Sequence, residues 1–222
     1  MALVDGRRER LGRRRSRAAL IAGRGCAAAG WLLWAAMQVI ANDPFPPEIS
    51  VSQYGVGPPG WVFTVWALAL AAAPLLLLQH APAPGPARIL LWVGFSGALV
   101  MAVVRTDEGG GAMSWHAQVH MAGAVVALVF MPLGILFALR AAGGVIRRTA
   151  NALAVTAAVL GALVLVSATG VDTAGFGAAR SWALWQGALV VVEMLLVTLY
   201  AVAAGRIATR MSTRMNAVGG DG

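Results

Sequence analysis

The sequence predicts an all-α integral membrane protein, a bundle of six transmembrane helices with both termini in the cytoplasm. Of the 222 residues, 59% are hydrophobic and only 12% are charged, which is about half the charged fraction of a soluble domain. The hydrophobic residues form long continuous runs, and about twenty such residues are needed to cross a bilayer as a helix. Because the runs lack the short alternating pattern of barrel strands, helices are the expected spanning structure.

The six helices are expected, in chain order, at 25–41, 61–78, 89–104, 115–139, 149–168 and 182–204. The first follows an arginine-rich head, and the second and fourth contain Pro74 and Pro132. Each proline removes a backbone donor and favours a kink. The third run is short, but Arg88 and Arg105 at its ends can extend their charged groups to the interface. The fifth and sixth runs are uninterrupted and rich in apolar residues.

The first run has an alternative interpretation as a cleavable signal peptide, because a basic start and an apolar stretch precede Val39-Ile40-Ala41, which could pass for a cleavage site. Both the head and the apolar stretch are longer than usual for a signal peptide, so an uncleaved helix is favoured. The chain then divides into an Arg-rich cytoplasmic arm at 1–24, a transmembrane domain at 25–204 and a cytoplasmic tail at 205–222.

The arginines predict the orientation. All 17 basic residues are arginines, and a cytoplasmic N-terminus leaves only Arg105 and Arg180 outside. This asymmetry follows the positive-inside rule and predicts a plasma or inner membrane protein. We expect membrane lipids as partners of the arm. Nucleic-acid binding is disfavoured because no aromatic residue is interleaved with the charges. The sequence identifies no protein partner.

One acidic residue, Glu193, lies inside a predicted span. An ionised carboxylate there costs on the order of a few kcal/mol, so we expect it to face the bundle interior and to be protonated unless a cation is close. Gln186, Glu193 and Tyr200 recur every seven residues and therefore share one helix face. This stripe serves either for hydrogen bonds between helices or as the lining of a cavity or proton path.

The segment RTDEGGGAMSWHAQVH, residues 105–120, predicts a site at the outer face. His116 and His120 are four apart, a spacing that places both rings on one helix face. With a carboxylate they could hold zinc and leave a position for an activated water. Without an HExxH motif, a purely structural role of the pair stays open. The third ligand is expected among Asp107, Glu108 and Asp172.

Small residues continue the histidine face and favour close packing against another helix; they are Gly123, Ala127 and Gly134. Polar residues in the outer halves of the helices predict a pocket that opens to the outer face; they are Gln38, Thr64, Ser167 and Gln186. The glycines at 109–111 are expected to let the preceding loop fold Asp107 over this pocket.

The loop FPPEISVSQYGVGPPGW, residues 45–61, is rich in proline and glycine and predicts a shaped connector. Its Ser52 is a candidate nucleophile, provided that His116 or His120 serves as the base. The candidate catalytic residues are therefore Ser52, Asp107, His116 and His120. The alternative is a rigid loop that caps the second helix.

Three stretches carry a family resemblance. PPEISVSQYGVGPPGWVF resembles the P-x-I-S…G…P-P…F entry to the second helix of the Frag/DRAM/Sfk-like membrane proteins. RTDEGGGAMSWHAQVH resembles the T-D…H…H stretch of a bacterial relative, family 998 of the domains of unknown function, and WALWQGALVVVEMLL is similar to that family's last helix. The resemblance covers residues 25–204. The Arg-rich head and the Gly-rich 109–111 insert depart from it.

The resemblance implies a six-helix bundle whose marked residues cluster at the outer face. Frag-type relatives are linked to remodelling of glycolipid anchors and Sfk-type relatives to lipid homeostasis, which points to lipids by analogy. Carried over to this chain, the marked residues are Ser50 or Ser52, Asp107, His116, His120 and Glu193.

Three functions are consistent with the sequence. The expected one is lipid-related: headgroup binding, remodelling or hydrolysis at the outer polar pocket. A non-catalytic sensor or scaffold subunit is the first alternative. A small transporter that uses Glu193 and the histidines as a proton relay is the second. Whether the protein is an enzyme, and whether it holds zinc, stays open.

Overall fold

A computed structural model describes residues 2–43, 45–81, 83–108, 113–140 and 142–218 of the chain, with side chains from residue 14 to 208 within these ranges. Within them the chain forms six α-helices and one short 3-10 segment. The elements are α1 (Ala2–Ala41), the 3-10 segment (Val51–Gly55), α2 (Gly60–His80), α3 (Gly85–Val103), α4 (Trp115–Leu139), α5 (Gly144–Ala168) and α6 (Ala178–Val218).

Each of α1 to α6 contains a stretch that is long and apolar enough to cross a membrane. The mean hydropathy of these stretches ranges from 1.3 in α1 to 2.5 in α4. The described part of the chain contains six such helices. The protein is therefore a multi-pass membrane protein of the all-α class, as predicted from the sequence.

The helices extend beyond several predicted bounds. α1 begins at Ala2 rather than at 25, and α6 continues to Val218 rather than ending at 204. α3 and α5 each begin several residues earlier than predicted, at Gly85 and Gly144. The predictions followed the apolar runs, whereas arginine is itself a good helix former and allows a helix to continue past its apolar part.

The predicted arm at 1–24 is therefore continuous with α1, and its last two turns pack on the bundle. The Oγ of Ser16 lies 2.9 Å from Nδ1 of His80 on α2. The Nε of Arg24 donates a hydrogen bond of 3.1 Å to the carbonyl oxygen of Ala201 on α6. These contacts fix the end of the arm to two helices.

The bundle has two unlike ends. The acidic end is the end at which α1, α3 and α5 finish, and its connecting segments carry Asp43, Glu48, Asp107, Glu108 and Asp172. Arg180 forms an ion pair there with Glu48. The opposite, basic end carries most of the described arginines, namely Arg14, Arg15, Arg17, Arg24, Arg88, Arg140, Arg147, Arg148 and Arg206.

Glycines bring α3 and α4 into close contact. A Cβ added at Gly97 would lie 2.7 Å from both the amide nitrogen of Ala127 and the carbonyl oxygen of Gly123. A Cβ at Gly134 would lie 2.7 Å from the side chain of Leu91. The prediction that small residues of the fourth helix form a closely packed face is confirmed at Gly123, Ala127 and Gly134.

The stripe of α6 faces the interior, as predicted from its seven-residue period. Gln186, Glu193 and Tyr200 are all buried. Tyr200 packs within the main hydrophobic core, together with Leu196 and Val197 of the preceding turn. The polar groups of this helix are therefore surrounded by protein and do not face the surrounding bilayer.

Candidate functional site

The acidic end is closed by the 3-10 segment, which lies over the helix ends. The amide nitrogen of Val51 donates a 2.8 Å hydrogen bond to Oε1 of Gln186, and Nε2 of Gln186 lies 3.5 Å from the Ser52 hydroxyl. The Tyr54 hydroxyl donates to Oε1 of Gln38 at 3.1 Å. Burial, and next the charge of Asp43, raises the pKa of Tyr54 to about 12, so this donor stays protonated at neutral pH.

The remaining residues of the predicted pocket also have local partners. The Thr64 hydroxyl donates to the carbonyl oxygen of Ala102 at 3.2 Å. The hydroxyls of Ser167 and Thr173 are 2.6 Å apart. Each of the four polar residues predicted to line a pocket thus has a hydrogen-bond partner within the described part of the chain. The amide of Phe63 donates a 2.9 Å hydrogen bond to the carbonyl oxygen of Pro59, as expected for the alternative of a loop that caps the second helix.

The structure places the two histidines in different environments. His116 is exposed and its ring stacks on Trp115, with centroids 3.6 Å apart. His120 is only 1% exposed, and its Nδ1 donates a 2.7 Å hydrogen bond to the carbonyl oxygen of Val104. α3 ends beside His120. His116, one turn earlier on α4, therefore lies past the end of α3 and has no helix of this pair to pack against. The expectation that both histidines top a seam between helices therefore holds for His120, whereas His116 is exposed.

Ser52 and the histidines do not form a nucleophile–base pair in the described part of the chain. The Ser52 hydroxyl has Gln186 as its hydrogen-bond partner. His120 is engaged by the Val104 carbonyl and stacks on Phe63. The arrangement of serine and base that nucleophilic catalysis requires is not brought together by these contacts.

Asp107 holds the start of α4. Its carboxylate accepts hydrogen bonds from the amide nitrogen of Ser114 at 2.8 Å and from the Ser114 hydroxyl at 2.6 Å. That hydroxyl in turn accepts a hydrogen bond from the amide of Ala117 and caps the helix. The Ser114 hydroxyl, followed by its amide, lowers the pKa of Asp107.

The predicted zinc ligands are consequently not assembled. Within the described ranges, no group of three or more His, Cys, Asp or Glu side chains is placed to hold a metal ion. Asp107 serves the α4 cap, His120 is buried, and His116 is exposed. The glycines at 109–111, expected to let the loop fold over the site, lie outside the described residues.

Asp172 organises the loop before α6. Its carboxylate accepts hydrogen bonds from the amides of Gly175 and Gly177, each at 2.8 Å, and from the Ser181 hydroxyl at 2.6 Å. Gly175 and Gly177 have φ values of 82° and 93°, which favour glycine. The Ser181 hydroxyl and these amides hold the pKa of Asp172 well below its usual range.

Below the closed end lies a set of buried polar groups that we call the polar column: His120, Trp66, Glu193 and Tyr200. Among the described residues, Trp66 Nε1, Glu193 Oε1 and the Tyr200 hydroxyl have no hydrogen-bond partner. A buried polar group without a partner costs about 1–3 kcal/mol. Each one therefore requires an explanation such as function or a bound molecule.

Ring contacts and a cavity connect the members of the column. The ring centroid of Phe63 lies 6.2 Å from that of His120 and 5.6 Å from that of Trp66. Trp66 and Glu193 line the same cavity of about 30 Å³. Tyr200 follows Glu193 by two turns, about 10 Å along α6.

The bundle that contains the column corresponds to a known family. The family model described as "Protein of unknown function (DUF998)" matches residues 25–203. The chain belongs to the DUF998 family. The resemblance of the sequence to family 998 of the domains of unknown function is thereby confirmed. No curated protein and no solved structure gives a significant match to this DUF998 protein.

Trp66 is the member of the column that the sequence analysis missed. Its indole carries a hydrogen-bond donor on an otherwise apolar side chain. Tryptophan is enriched at membrane interfaces, whereas Trp66 lies six residues inside α2 and is only 3% exposed. A tryptophan well inside a span was the available signal.

A second space in the DUF998 protein is a groove between α4 and α5, with a volume of about 460 Å³. All of its lining residues are apolar. Leu128 lines both this groove and the cavity of Trp66 and Glu193. Pro132 lines the groove and a cavity of about 10 Å³ that also borders Glu193. One layer of α4 side chains thus separates the groove from the polar column.

Proposed function

We propose that this DUF998 protein binds a lipid-class molecule inside the bilayer, with an acyl chain in the groove between α4 and α5. The observation that carries the proposal is the groove itself. Its volume of about 460 Å³ is within the range of about 300–1,000 Å³ for small-molecule sites. Its apolar lining matches a hydrocarbon chain.

The groove opens towards the surrounding membrane. Val129, Leu133 and Leu165 border it and are exposed on the bundle surface, and all three lie within membrane-spanning stretches. α5 buries few of its residues, only Ala150, Ala157 and Ser167 among those described. A chain can therefore enter sideways from the bilayer without crossing the closed acidic end.

Energetics limit what the groove alone contributes. Lipid tails are as apolar as the leucine side chains that line the groove, so moving a chain from the bilayer into it gains no hydrophobic free energy. Only better packing remains, at about 0.1–0.2 kcal/mol for each pair of touching atoms. The groove thus orients the chain, while discrimination between lipids depends on nearby polar groups.

Photocrosslinking tests the proposal. A phospholipid with a photoreactive acyl chain, added to protein in nanodiscs, is expected to label peptides of α4 and α5. Ala158→Trp places a large side chain in the groove and should reduce labelling at least about tenfold. Val159→Trp is the matched control, because Val159 is exposed on the same helix but is not part of the groove lining. Equal labelling of both variants would refute lipid binding at this position.

The location and orientation belong to the same proposal. We infer that the protein lies in the plasma or inner membrane of a bacterium with both termini in the cytoplasm, and that the family is related to the Frag/DRAM/Sfk-like proteins. The arginines of the basic end support this orientation. In a Cys26→Ser background, an impermeant thiol reagent applied to intact cells should label Gly57→Cys at the acidic end. Arg147→Cys at the basic end should stay unlabelled.

Proton-coupled transport is a second candidate function, favoured by the burial of Glu193 inside a membrane span. An ionisable residue at such a depth commonly marks an ion or proton path. Proteoliposomes with a pH gradient should then show proton flux that Glu193→Gln abolishes and Tyr200→Phe retains. Absence of flux in the unmodified protein would eliminate this candidate.

A further inference from the structure

We propose that the cavity between Trp66 and Glu193 is a binding site for one uncharged hydroxyl group. The hydroxyl comes either from water or from a lipid alcohol whose chain occupies the groove between α4 and α5. The lipid source rests on the function proposed above, whereas the water source does not.

The site is built from two deeply buried polar side chains. Trp66 is 3% exposed and Glu193 is 7% exposed. Both line the cavity, and within the described part of the chain neither Trp66 Nε1 nor Glu193 Oε1 has a hydrogen-bond partner. One group bound between them would satisfy two orphaned atoms at once.

The size of the cavity limits what can bind. A water molecule needs about 10–15 Å³ of such space, and the cavity offers about 30 Å³. It therefore accepts a hydroxyl group or one to two water molecules. A phosphate or sugar headgroup does not fit.

The hydrogen-bonding groups call for a partner that both accepts and donates. The indole nitrogen of Trp66 is a donor only, so the bound group must accept from it. A hydroxyl also donates one hydrogen bond, for which the Glu193 carboxyl is available.

Charge disfavours ionic ligands. Apart from Glu193, the described lining of the cavity has no charged side chain, so an anion would be buried without a counter-ion at high cost. A metal cation would require several oxygen ligands, whereas the only side-chain oxygens in the lining belong to Glu193. The indole N–H would also direct its positive hydrogen towards such a cation. An uncharged hydroxyl has neither difficulty.

The groove offers a route for the hydroxyl of a lipid. Leu128 separates the groove from the cavity, and Pro132 borders both the groove and the smaller space beside Glu193. A chain lying along α4 in the groove would therefore have its hydroxyl one side-chain layer from Glu193. Rotation of the Leu128 side chain is the movement that this route requires.

Nuclear magnetic resonance of the protein in nanodiscs tests the site directly. Labelling the eight tryptophans with heavy nitrogen gives one indole signal for each, and Trp66→Phe identifies the signal of Trp66. The probe is dioleoylglycerol, a lipid alcohol, with dioleoylphosphatidylcholine as the matched lipid that has no free hydroxyl. In nanodiscs whose other lipids are deuterated, we measure magnetisation transfer to the Trp66 indole proton from water and from the glycerol protons of the added lipid.

The expected result is transfer from water or from dioleoylglycerol and none from the headgroup of the phosphatidylcholine. Glu193→Leu should abolish the transfer, whereas Glu193→Gln should retain it because an amide also donates and accepts. Tyr200→Phe is the control, since it removes a buried hydroxyl that is not in the cavity lining. If dioleoylglycerol is the source, Trp66→Phe and Glu193→Leu should each weaken its binding about tenfold.

The outcomes separate the site from the proposed function. Transfer from glycerol protons identifies a lipid alcohol, and transfer from water alone identifies water; both support the site. Absence of both, or transfer unaffected by Glu193→Leu, overturns it. Acyl-chain labelling of the groove without any contact at Trp66 leaves lipid binding intact and removes the hydroxyl site. If Trp66 contacts water but the groove is not labelled, the hydroxyl site is supported and lipid binding in the groove is refuted.

Discussion

Replacing Gly97 with alanine should weaken the contact between α3 and α4. The new Cβ would lie 2.7 Å from the Ala127 amide nitrogen and from the Gly123 carbonyl oxygen, whereas ordinary contact begins at 3.4 Å. Since both opposing atoms are backbone, no side chain can rotate out of the way. The helices must separate locally by about 0.7 Å, the difference between these two distances.

Two opposing effects determine the magnitude. Alanine in a helix interior is favoured over glycine by about 0.5–1 kcal/mol. Overpacking of a tight contact costs about 1–3 kcal/mol. The clash prevails, and we expect the free energy of unfolding to fall by about 1–2 kcal/mol.

The matched control is Gly161→Ala, the same substitution in the interior of α5. A Cβ at Gly161 would have nothing within 4 Å, so only the favourable helix propensity remains. Both variants are compared by thermal and denaturant unfolding in detergent micelles. If Gly97→Ala is as stable as Gly161→Ala, then α3 and α4 are not in the close contact described here.

Three further predictions concern the acidic end. Gln186→Leu removes the acceptor of the buried Val51 amide and should lower the free energy of unfolding by about 1–3 kcal/mol. Proteolysis of the 42–59 segment should become faster, and an unchanged rate would contradict the conclusion that this hydrogen bond holds the segment. Hydrogen bonds lower the pKa of Asp172, so its contribution to loop order is complete above the ordinary aspartate pKa of about 3.9 and is lost as pH falls through the lower folded value. Amide exchange in the 174–177 turn should therefore be slow at neutral pH and rise in Asp172→Asn; equal rates would oppose this reasoning. In a Tyr200→Phe background, which leaves Tyr54 as the single tyrosine, phenolate absorbance should appear near pH 12 and not near the ordinary value of about 10.

The membrane fold could be predicted from the sequence because apolar runs of sufficient length have one structural solution in a bilayer. The buried face of α6 followed from a seven-residue period and was confirmed at Gln186, Glu193 and Tyr200. The DUF998 family was also recognised, from the stretch before α4 and from the beginning of the last helix.

The site could not be predicted to the same extent, because it depends on where helices end relative to each other. The spacing of His116 and His120 predicts a common helix face. It does not predict that α3 ends beside His120, which leaves His116 exposed and His120 buried. The role of Gln186 as the acceptor of the Val51 amide joins residues 135 positions apart. Such long-range contacts are set by tertiary packing and have no local pattern.

α6 connects the cavity to the closed end of the bundle. Gln186 binds the 3-10 segment, and Glu193, seven residues further along the same helix face, borders the cavity. Since a helix transmits displacement along its axis over two turns with little loss, a ligand that shifts or rotates α6 at Glu193 also strains the hydrogen bond at Gln186. Occupancy of the cavity would thereby change the exposure of the 42–59 loop at the other end of this helix face.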